Sequence, residues 1–413
     1  SLVGRFPQIP PEAVLKEDLL RTGIAFDGSA LSDNLDGEVK PKSYFIFSFD
    51  QKPLAELGEA ALRRPPEEIA LSGGPFALRR TIVSVRVNPG SPYRVARAED
   101  GTLGLSVDGN ELADVRVQPM PEYYRHTLAN GKTVMETAPT IQWGYLIYLT
   151  VLRLCQYFGA KEECQFCDIN HNWRQHKREG RPYTGVKPIE DVLEALALID
   201  RYDTTGTSKA YTLTGGSVTS TVDGLGEAEF YGRYAQAIEE RFPGRWLGKV
   251  VAQALPKADV QRFKDYGISI YHPNYEVWDK ELFERISPGK QRYVGREEWH
   301  RRIFDAADVF GARHVIPNFV AGVEMAGQRW TSTSSNGHAP GTRRRSRASR
   351  SPSGIVCTRS RTASCGTRSS PRTRPSRPSS PPAEMRPRRS RNGSAATLPS
   401  GDTTRTAPGC STT

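Results

Sequence analysis

The pattern of apolar and polar positions along the chain changes near residue 139. Before that point, over about residues 69–137, apolar and polar residues alternate in short runs, which is typical of strands with one exposed face. The dipeptide Asp108-Gly109 between two such runs is typical of a tight hairpin turn. We therefore predict a mixed, β-rich accessory region over residues 1–138, and its sequence contains no motif of a functional site.

From residue 139 onward, runs typical of strands alternate with segments of helical spacing. The first of these runs, residues 141–151, is almost continuously apolar, which is typical of a strand that is buried on both faces. Strands are predicted at about residues 141–151, 209–214, 246–254, 268–272 and 314–321. Helices are predicted at about residues 188–199, 230–242, 257–266 and 296–310. The alternation predicts an α/β domain over residues 139–326, with a parallel barrel or an open parallel sheet.

The composition changes abruptly near residue 327. From Arg329 onward the chain has 17 arginines, no lysine and two acids, so this segment carries a net charge of +15, against +11 for the whole chain. The preceding 328 residues therefore carry −4. A segment with so few large apolar residues cannot offset the entropy of ordering, and we predict a disordered basic tail over residues 327–413. It is either a basic arm or a coding region read out of frame, and arginine without lysine favours the second.

Outside this tail, cysteine occurs only at Cys155, Cys164 and Cys167, directly after the first predicted buried strand. A long segment that keeps cysteine in a single cluster indicates thiolate ligands of a metal. Three thiolates are one ligand short of a closed four-coordinate site, so an iron–sulfur cluster held in this way keeps one iron open. Barrel enzymes carry their chemistry on the loops that follow the strands, which is where these cysteines lie.

A structural zinc site is the alternative interpretation of the cysteines. His171 follows Cys167 by four positions and would complete a Cys3His ligand set. Together with the arginine-rich tail, it would make the chain a zinc-stabilised binding module with a basic arm for nucleic acid. This alternative explains the cysteines and the tail, whereas it does not explain the alternation of strands and helices.

The cysteine spacing, C-x8-C-x2-C with Phe166 before the last cysteine, resembles the cluster motif of the radical S-adenosylmethionine (SAM) superfamily. The usual pattern there is C-x3-C-x-aromatic-C, so the second half matches and the first gap is longer. The resemblance covers about residues 140–324 and is greatest to the branch with biotin synthase and the hydrogenase-cofactor maturases. It implies a partial (β/α)6 TIM-type barrel, of which about five β/α units are recognisable before the tail begins.

The resemblance also implies which residues contact SAM. The loops after the predicted strands supply glycines for close backbone approach, acceptors for a ribose diol and a cation for a carboxylate. The implied residues are Phe166 and Gly322 near the adenine, Thr214, Gly215, Gly216 and Ser217 at the amino group, Asn274 and Glu276 at the ribose, and Arg292, with Lys290 as second choice, at the carboxylate. Taken singly, each has an ordinary alternative, such as a turn, a helix cap or a surface charge.

The implied chemistry needs two cofactors and a reductant. A [4Fe-4S] cluster on the three cysteines would bind SAM, and an external one-electron donor of the flavodoxin or ferredoxin type would reduce it. A 5′-deoxyadenosyl radical would then abstract hydrogen from a small-molecule or peptide substrate, for which the sequence assigns no catalytic residue. Reactive thiols require a reducing compartment, so we expect a cytoplasmic protein. The mildly acidic body and the lack of long apolar runs predict neither nucleic acid nor membrane as a partner.

Overall fold

The computed structural model describes residues 3–31, 39–40, 65–167, 169, 180, 184–320 and 323. The predicted disordered tail, residues 327–413, therefore lies outside the described residues. The same holds for Gly322 and for His171, the fourth ligand of the zinc alternative. Where residues are described, they form two β-sheets with helices packed against them.

The first sheet is formed by the strands of the β-rich region, and helix α1 (Pro11–Thr22) packs against it. Its strands are β1 (Ala25–Phe26), β2 (Glu68–Gly73), β3 (Leu78–Ser84), β4 (Tyr93–Arg97), β5 (Leu103–Val107) and β6 (Asn110–Val117), in the order β1-β4-β5-β6-β2-β3. The turn between β5 and β6 is the predicted hairpin, since Asp108 and Gly109 both have positive φ angles, 49° and 78°. The apolar side of α1 packs on this sheet through Leu15 and Leu19.

The second sheet contains the parallel strands. Its strands are β7 (Thr140–Ile141), β8 (Leu146–Leu152), β9 (Ala210–Gly215), β10 (Leu247–Ala252) and β11 (Ile268–Pro273), in the order β11-β10-β9-β8-β7. Strands β8 to β11 are parallel, and β7 is antiparallel to β8. The fold is thus mixed α/β with a parallel sheet, and the part of the chain that the structure describes contains no closed barrel.

Helices connect and flank the parallel strands. They are α2 (Val134–Thr137), α3 (Ile189–Tyr202), α4 (Glu227–Arg241), α5 (Lys257–Asp265), α6 (Lys280–Ile286), α7 (Pro288–Tyr293) and α8 (Arg296–Phe310). The four long helical segments of the sequence are confirmed as α3, α4, α5 and α8. The short helices α6 and α7 were not predicted, because each spans less than two helical turns. No helix among the described residues is long and apolar enough to cross a membrane.

The predicted first strand is wrong at its beginning. Residues Gln142 and Trp143 have φ angles of 56° and 60°, which ends β7 and turns the chain back into β8. The carboxylate of Glu68 on β2 holds this turn, because it accepts the backbone N–H groups of Gln142 (2.9 Å) and Trp143 (2.5 Å). The apolar pattern hides the turn, since its cause is a carboxylate more than 70 positions earlier in the chain.

The prediction of a fifth strand is also wrong, because these residues do not form a continuous strand. Residues Ala312–His314 form a 3-10 turn, and the next residues make two isolated parallel bridges, Val315 with Tyr271 and Phe319 with Glu276. Pro317 lies between them and lacks the N–H that a continuous ladder would require. Over the described residues, the parallel sheet therefore ends at β11.

Each parallel strand has one face toward the helices and one face away from them. Residues such as Leu149, Leu213, Val250 and Tyr271 belong to the large core that contains α3, α4, α5 and α8. The alternate residues lie on the opposite face, which we call the inner face. They include Tyr148, Thr150, Thr212, Thr214, Lys249 and His272. The inner face of the sheet is therefore much more polar than its helix-covered face.

Lys187, next to the start of α3, provides a pH-dependent test of the fold. Its ammonium group is buried and donates to the backbone oxygen of Thr137, and burial, with help from Arg153, lowers its pKa from 10.5 to about 7. Between these two values the unfolded chain binds more protons than the folded chain, so the free energy of unfolding should rise with pH in this window. The slope from this one group approaches about 1.4 kcal/mol per pH unit.

In the Lys187→Met variant we expect this slope to disappear, because methionine does not titrate. Urea unfolding at pH 7, 8 and 9 would measure it, with Lys264→Met as the control, since Lys264 donates to Val309 in an exposed bond. A slope that persists unchanged in Lys187→Met would contradict the low pKa.

Candidate metal and cofactor site

Cys155 follows β8 and begins the short 3-10 turn Gln156–Ala160. Its sulfur accepts the backbone N–H of Ser217 at 3.4 Å. In return, the carbonyl oxygen of Ser217 accepts the N–H of Gln156 at 3.0 Å. These two contacts fix the loop after β9 against the cysteine loop after β8, so the first cysteine and the glycine turn lie together.

The two glycines of this turn let the loops approach each other. The N–H of Gly216 donates to the carbonyl of Leu152 at 3.0 Å, and a Cβ on Gly216 would lie 2.0 Å from the oxygen of Leu154 and 2.4 Å from the Cα of Cys155. A Cβ on Gly215 would lie 2.2 Å from the oxygen of Leu152. Glycine is therefore required at both positions for the two loops to pack together. Their predicted contact with SAM, like that of the buried Thr214 just before them, stays a prediction.

Gln156 is a site residue that the sequence did not indicate. Its side-chain oxygen accepts the N–H groups of Thr219 at 2.6 Å and Ser220 at 2.9 Å, and its side-chain nitrogen donates to the oxygen of Thr221 at 2.9 Å. One glutamine next to the first cysteine therefore holds most of the loop after β9. A lone glutamine has no characteristic spacing, so sequence reasoning had no signal for it.

The other two cysteines form a turn, in which the N–H of Cys167 donates to the oxygen of Cys164 at 2.9 Å. This turn is bound to α6, because Gln165 donates its N–H to the oxygen of Ile286 at 2.9 Å, and the segment just before it is bound to α7, because the oxygen of Glu162 accepts the N–H of Gly289 at 2.9 Å. Phe166 packs partly buried against a small core of aromatic and aliphatic residues. That core includes Tyr275, Phe283 and Trp299. The helices that the sequence missed are therefore the elements that position two of the three cysteines.

Burial raises the pKa values of the thiols of Cys155 and Cys164. The pKa of Cys164 is raised to about 11, with the charge of Lys290 acting in the opposite direction. The pKa of Cys155 is also raised by burial, and the N–H of Ser217 opposes this rise. Thiolates at these positions need further positive charge, which iron ions provide when they bind. The donor set therefore fits a metal cluster that displaces protons on binding.

A second group of polar residues lies next to Cys164. The ammonium group of Lys290 on α7 donates to the oxygen of Asn274 at 2.6 Å and to the carboxylate of Glu276 at 3.2 Å, and it lies 4.7 Å from the ring centre of Trp299. Glu276 has a φ angle of 75°, which is uncommon for a residue other than glycine and is concentrated at functional sites. The structure thus brings together Asn274, Glu276 and Lys290.

Arg292 lies elsewhere on α7. Its side chain is 63 % exposed and donates to the carboxylate of Glu162 at 2.6 Å, whereas the side chain of Lys290 is only 8 % exposed. Arg292 therefore contributes to the attachment of α7 to the cysteine loop. Its predicted contact with the SAM carboxylate stays untested, as does the role of Gly322, which lies outside the described residues.

The buried carboxylate of Glu227, which is connected to the cysteine loop through hydrogen bonds, was also not predicted from the sequence. Glu227 at the start of α4 accepts the N–H groups of Val218 and Gln253, each at 2.7 Å, and the side-chain nitrogen of Gln253 at 2.6 Å. The hydroxyl of Tyr157 in the cysteine loop donates to the other end of the Gln253 amide. This chain of bonds joins the loops after β8, β9 and β10, and burial raises the pKa of Glu227.

No group of three or more His, Cys, Asp or Glu side chains in the described ranges is arranged to hold a metal ion. A zinc ion needs its ligands at about 2.0–2.3 Å around one point, whereas in an iron–sulfur cluster each thiolate binds a different iron. The zinc alternative would need His171 as its fourth ligand, and His171 lies outside the described residues.

A surface cleft of about 510 Å³ lies at the amino ends of β10 and β11. It is lined by residues that include Glu239, Trp246, Lys264 and Tyr266. The cysteines, in contrast, lie beyond the carboxyl end of β8. This cleft is therefore at the wrong end of the sheet to belong to the cysteine site.

Comparison with known proteins adds little to this description. No protein-family model matches the chain, and no curated protein matches it. Among solved structures it is similar to HydG, a maturase of the [FeFe]-hydrogenase, with a TM-score of 0.33 and 15 % sequence identity. The match covers 43 % of this chain and 35 % of HydG, so the chain spans about a third of that protein's length. A likeness this distant carries no functional conclusion.

Proposed function

We propose that this chain is a radical SAM enzyme in which Cys155, Cys164 and Cys167 hold a [4Fe-4S] cluster. The observation that supports the proposal most is the contact between the sulfur of Cys155 and the N–H of Ser217. It joins the cysteine loop, which follows β8, to the glycine turn, which follows β9. The superfamily resemblance implies that these two loops belong to one cofactor site. Loops that follow neighbouring parallel strands are the usual place for such a site.

In this proposal the cluster, once bound, supplies one-electron cleavage of SAM to give a 5′-deoxyadenosyl radical. The side chains of the chain bind and orient the reactants. The carboxylate of Glu276 would accept ribose hydroxyls, and the ammonium of Lys290 would pair with the SAM carboxylate. The partners are then SAM, an external reductant of the flavodoxin or ferredoxin type, and a substrate that is not identified.

Anaerobic reconstitution with iron and sulfide tests this proposal directly. We expect about four irons per chain, a brown protein with a broad absorption band near roughly 400 nm, and formation of 5′-deoxyadenosine from SAM under reducing conditions. The zinc alternative predicts a colourless protein that binds about one zinc per chain. Uptake of zinc with no incorporation of iron and sulfide would overturn the proposal in favour of a binding module.

The choice between Lys290 and Arg292 can be tested by two matched variants. We expect Lys290→Met to weaken SAM binding by about tenfold or more, because loss of a charge-assisted hydrogen bond costs about 1.5–3 kcal/mol. Arg292→Met should change it much less, since that side chain is mostly exposed and paired with Glu162. Equilibrium dialysis on cluster-loaded protein of equal iron content would measure both. A larger loss in Arg292→Met would make Arg292 the carboxylate partner.

A further inference from the structure

Ser287, between α6 and α7, carries a hydroxyl group that helix capping does not explain. The residue is fully buried, with 0 % exposure. It stands directly before the first residue of α7, where a serine side chain commonly accepts an N–H of the helix, yet its side chain makes no such bond. The hydroxyl oxygen has no hydrogen-bond partner among the described residues. Buried polar groups are nearly always paired, so this hydroxyl requires another explanation.

The backbone places Ser287 opposite a cysteine of the candidate site. Residues 162–165 and residues 286–289 run side by side in opposite directions. Two backbone hydrogen bonds of 2.9 Å join them, from the N–H of Gln165 to the oxygen of Ile286 and from the N–H of Gly289 to the oxygen of Glu162. Counting inward from these two bonds, Ser287 faces Cys164. Both residues are buried, so the hydroxyl and the sulfur share one enclosed space.

The hydroxyl of Ser287 acts on the sulfur of Cys164. Burial raises the pKa of this thiol to about 11, and Ser287, together with the charge of Lys290, opposes the rise. A hydroxyl lowers a thiol pKa when it donates a hydrogen bond to the charged form. A neutral thiol is a weak acceptor, whereas a thiolate is a strong one. The hydroxyl therefore gains its partner when Cys164 becomes a thiolate, as it must when it binds a metal.

We propose that the hydroxyl of Ser287 donates a hydrogen bond to the metal-bound sulfur of Cys164 and thereby raises the reduction potential of the cluster. The inference rests on the proposed function and makes Ser287 a residue that tunes the cluster without being a ligand. Reduction adds one electron from the external donor, with no bond made or broken. A hydrogen bond to a ligand sulfur stabilises the added negative charge, and such bonds are among the factors that set cluster potentials.

A redox titration of reconstituted protein, followed by electron paramagnetic resonance of the reduced cluster, provides the test. We expect Ser287→Ala to keep the parental iron content and to shift the midpoint potential to a more negative value. The expected size is about tenfold in the equilibrium constant for reduction, which is about 59 mV for one electron. Ser287→Thr keeps the hydroxyl and should stay close to the parent. The control is Ser269→Ala, which removes an exposed hydroxyl on β11.

A second measurement separates tuning from folding. The urea midpoint of metal-free Ser287→Ala should equal or exceed that of the parent, because the change removes a buried, unpaired hydroxyl. An unchanged potential in Ser287→Ala at full iron content would overturn the proposal and leave the proposed function intact. Loss of the cluster in Ser287→Ala would also overturn it, since a tuning donor is not a ligand. A parent chain that takes up no iron and sulfide would refute the proposed function, and the role of Ser287 with it.

Discussion

Replacing Cys155 by alanine should reduce the iron content of reconstituted protein from about four per chain to near zero. Each cysteine supplies one iron ligand, and Cys155 is the ligand that the superfamily resemblance places least securely, because eight residues separate it from Cys164. The structure places its sulfur against the N–H of Ser217, at the junction with the glycine turn. Iron and sulfide analysis, together with absorption near roughly 400 nm, would measure the loss.

The chain provides its own controls for this experiment. Cys164→Ala and Cys167→Ala should have the same effect, whereas Cys357→Ala and Cys365→Ala, in the tail, should leave the iron content unchanged. The urea midpoint of metal-free Cys155→Ala should stay close to that of the parent, since burial keeps Cys155 as a neutral thiol there. Parental iron content in Cys155→Ala would remove Cys155 from the ligand set.

The sequence predicted the parallel strands and long helices well, because their signals are local. Strands β9 to β11 are short runs rich in β-branched and aromatic residues, and α8 lies between Gly295 and Gly311, two residues with positive φ angles at which a helix readily begins or ends. The turn between β7 and β8 was missed because Glu68 holds it from a distant strand. The fifth strand was overpredicted, since apolar residues around Pro317 look like a strand and cannot form a full ladder.

The candidate site also combines features that the sequence predicted with features that only the structure revealed. Cysteine spacing and glycine pairs are visible in a sequence, so the loops that carry them could be predicted. Polar partners such as Gln156 and Glu227 have no spacing pattern, because their roles depend on which loops meet in the folded chain. The choice between Lys290 and Arg292 also needed the structure. The two lie two positions apart on α7, a short helix whose existence the sequence did not reveal, and they point in different directions.

Among single glycine-to-alanine substitutions near the site, Gly216→Ala should disrupt it most. The new Cβ would lie 2.0 Å from the oxygen of Leu154 and 2.4 Å from the Cα of Cys155, distances at which backbone atoms must move. Overpacking against backbone costs about 1–3 kcal/mol, and we expect the free energy of unfolding to fall by about that amount. Because the displaced segment contains Cys155, the iron content of the reconstituted variant should fall as well.

Gly159→Ala is the matched control, since Gly159 lies in the same cysteine loop and a Cβ there would meet no atom within 4 Å. Urea unfolding, iron analysis and SAM affinity, measured on both variants, would separate two roles for Gly216. Loss of stability and iron in Gly216→Ala alone would show that the glycine permits the loops to pack. If both variants keep the iron and only Gly216→Ala loses SAM affinity, the glycine instead permits the backbone to approach the cofactor. Equal behaviour of the two variants in all three measurements would contradict both roles.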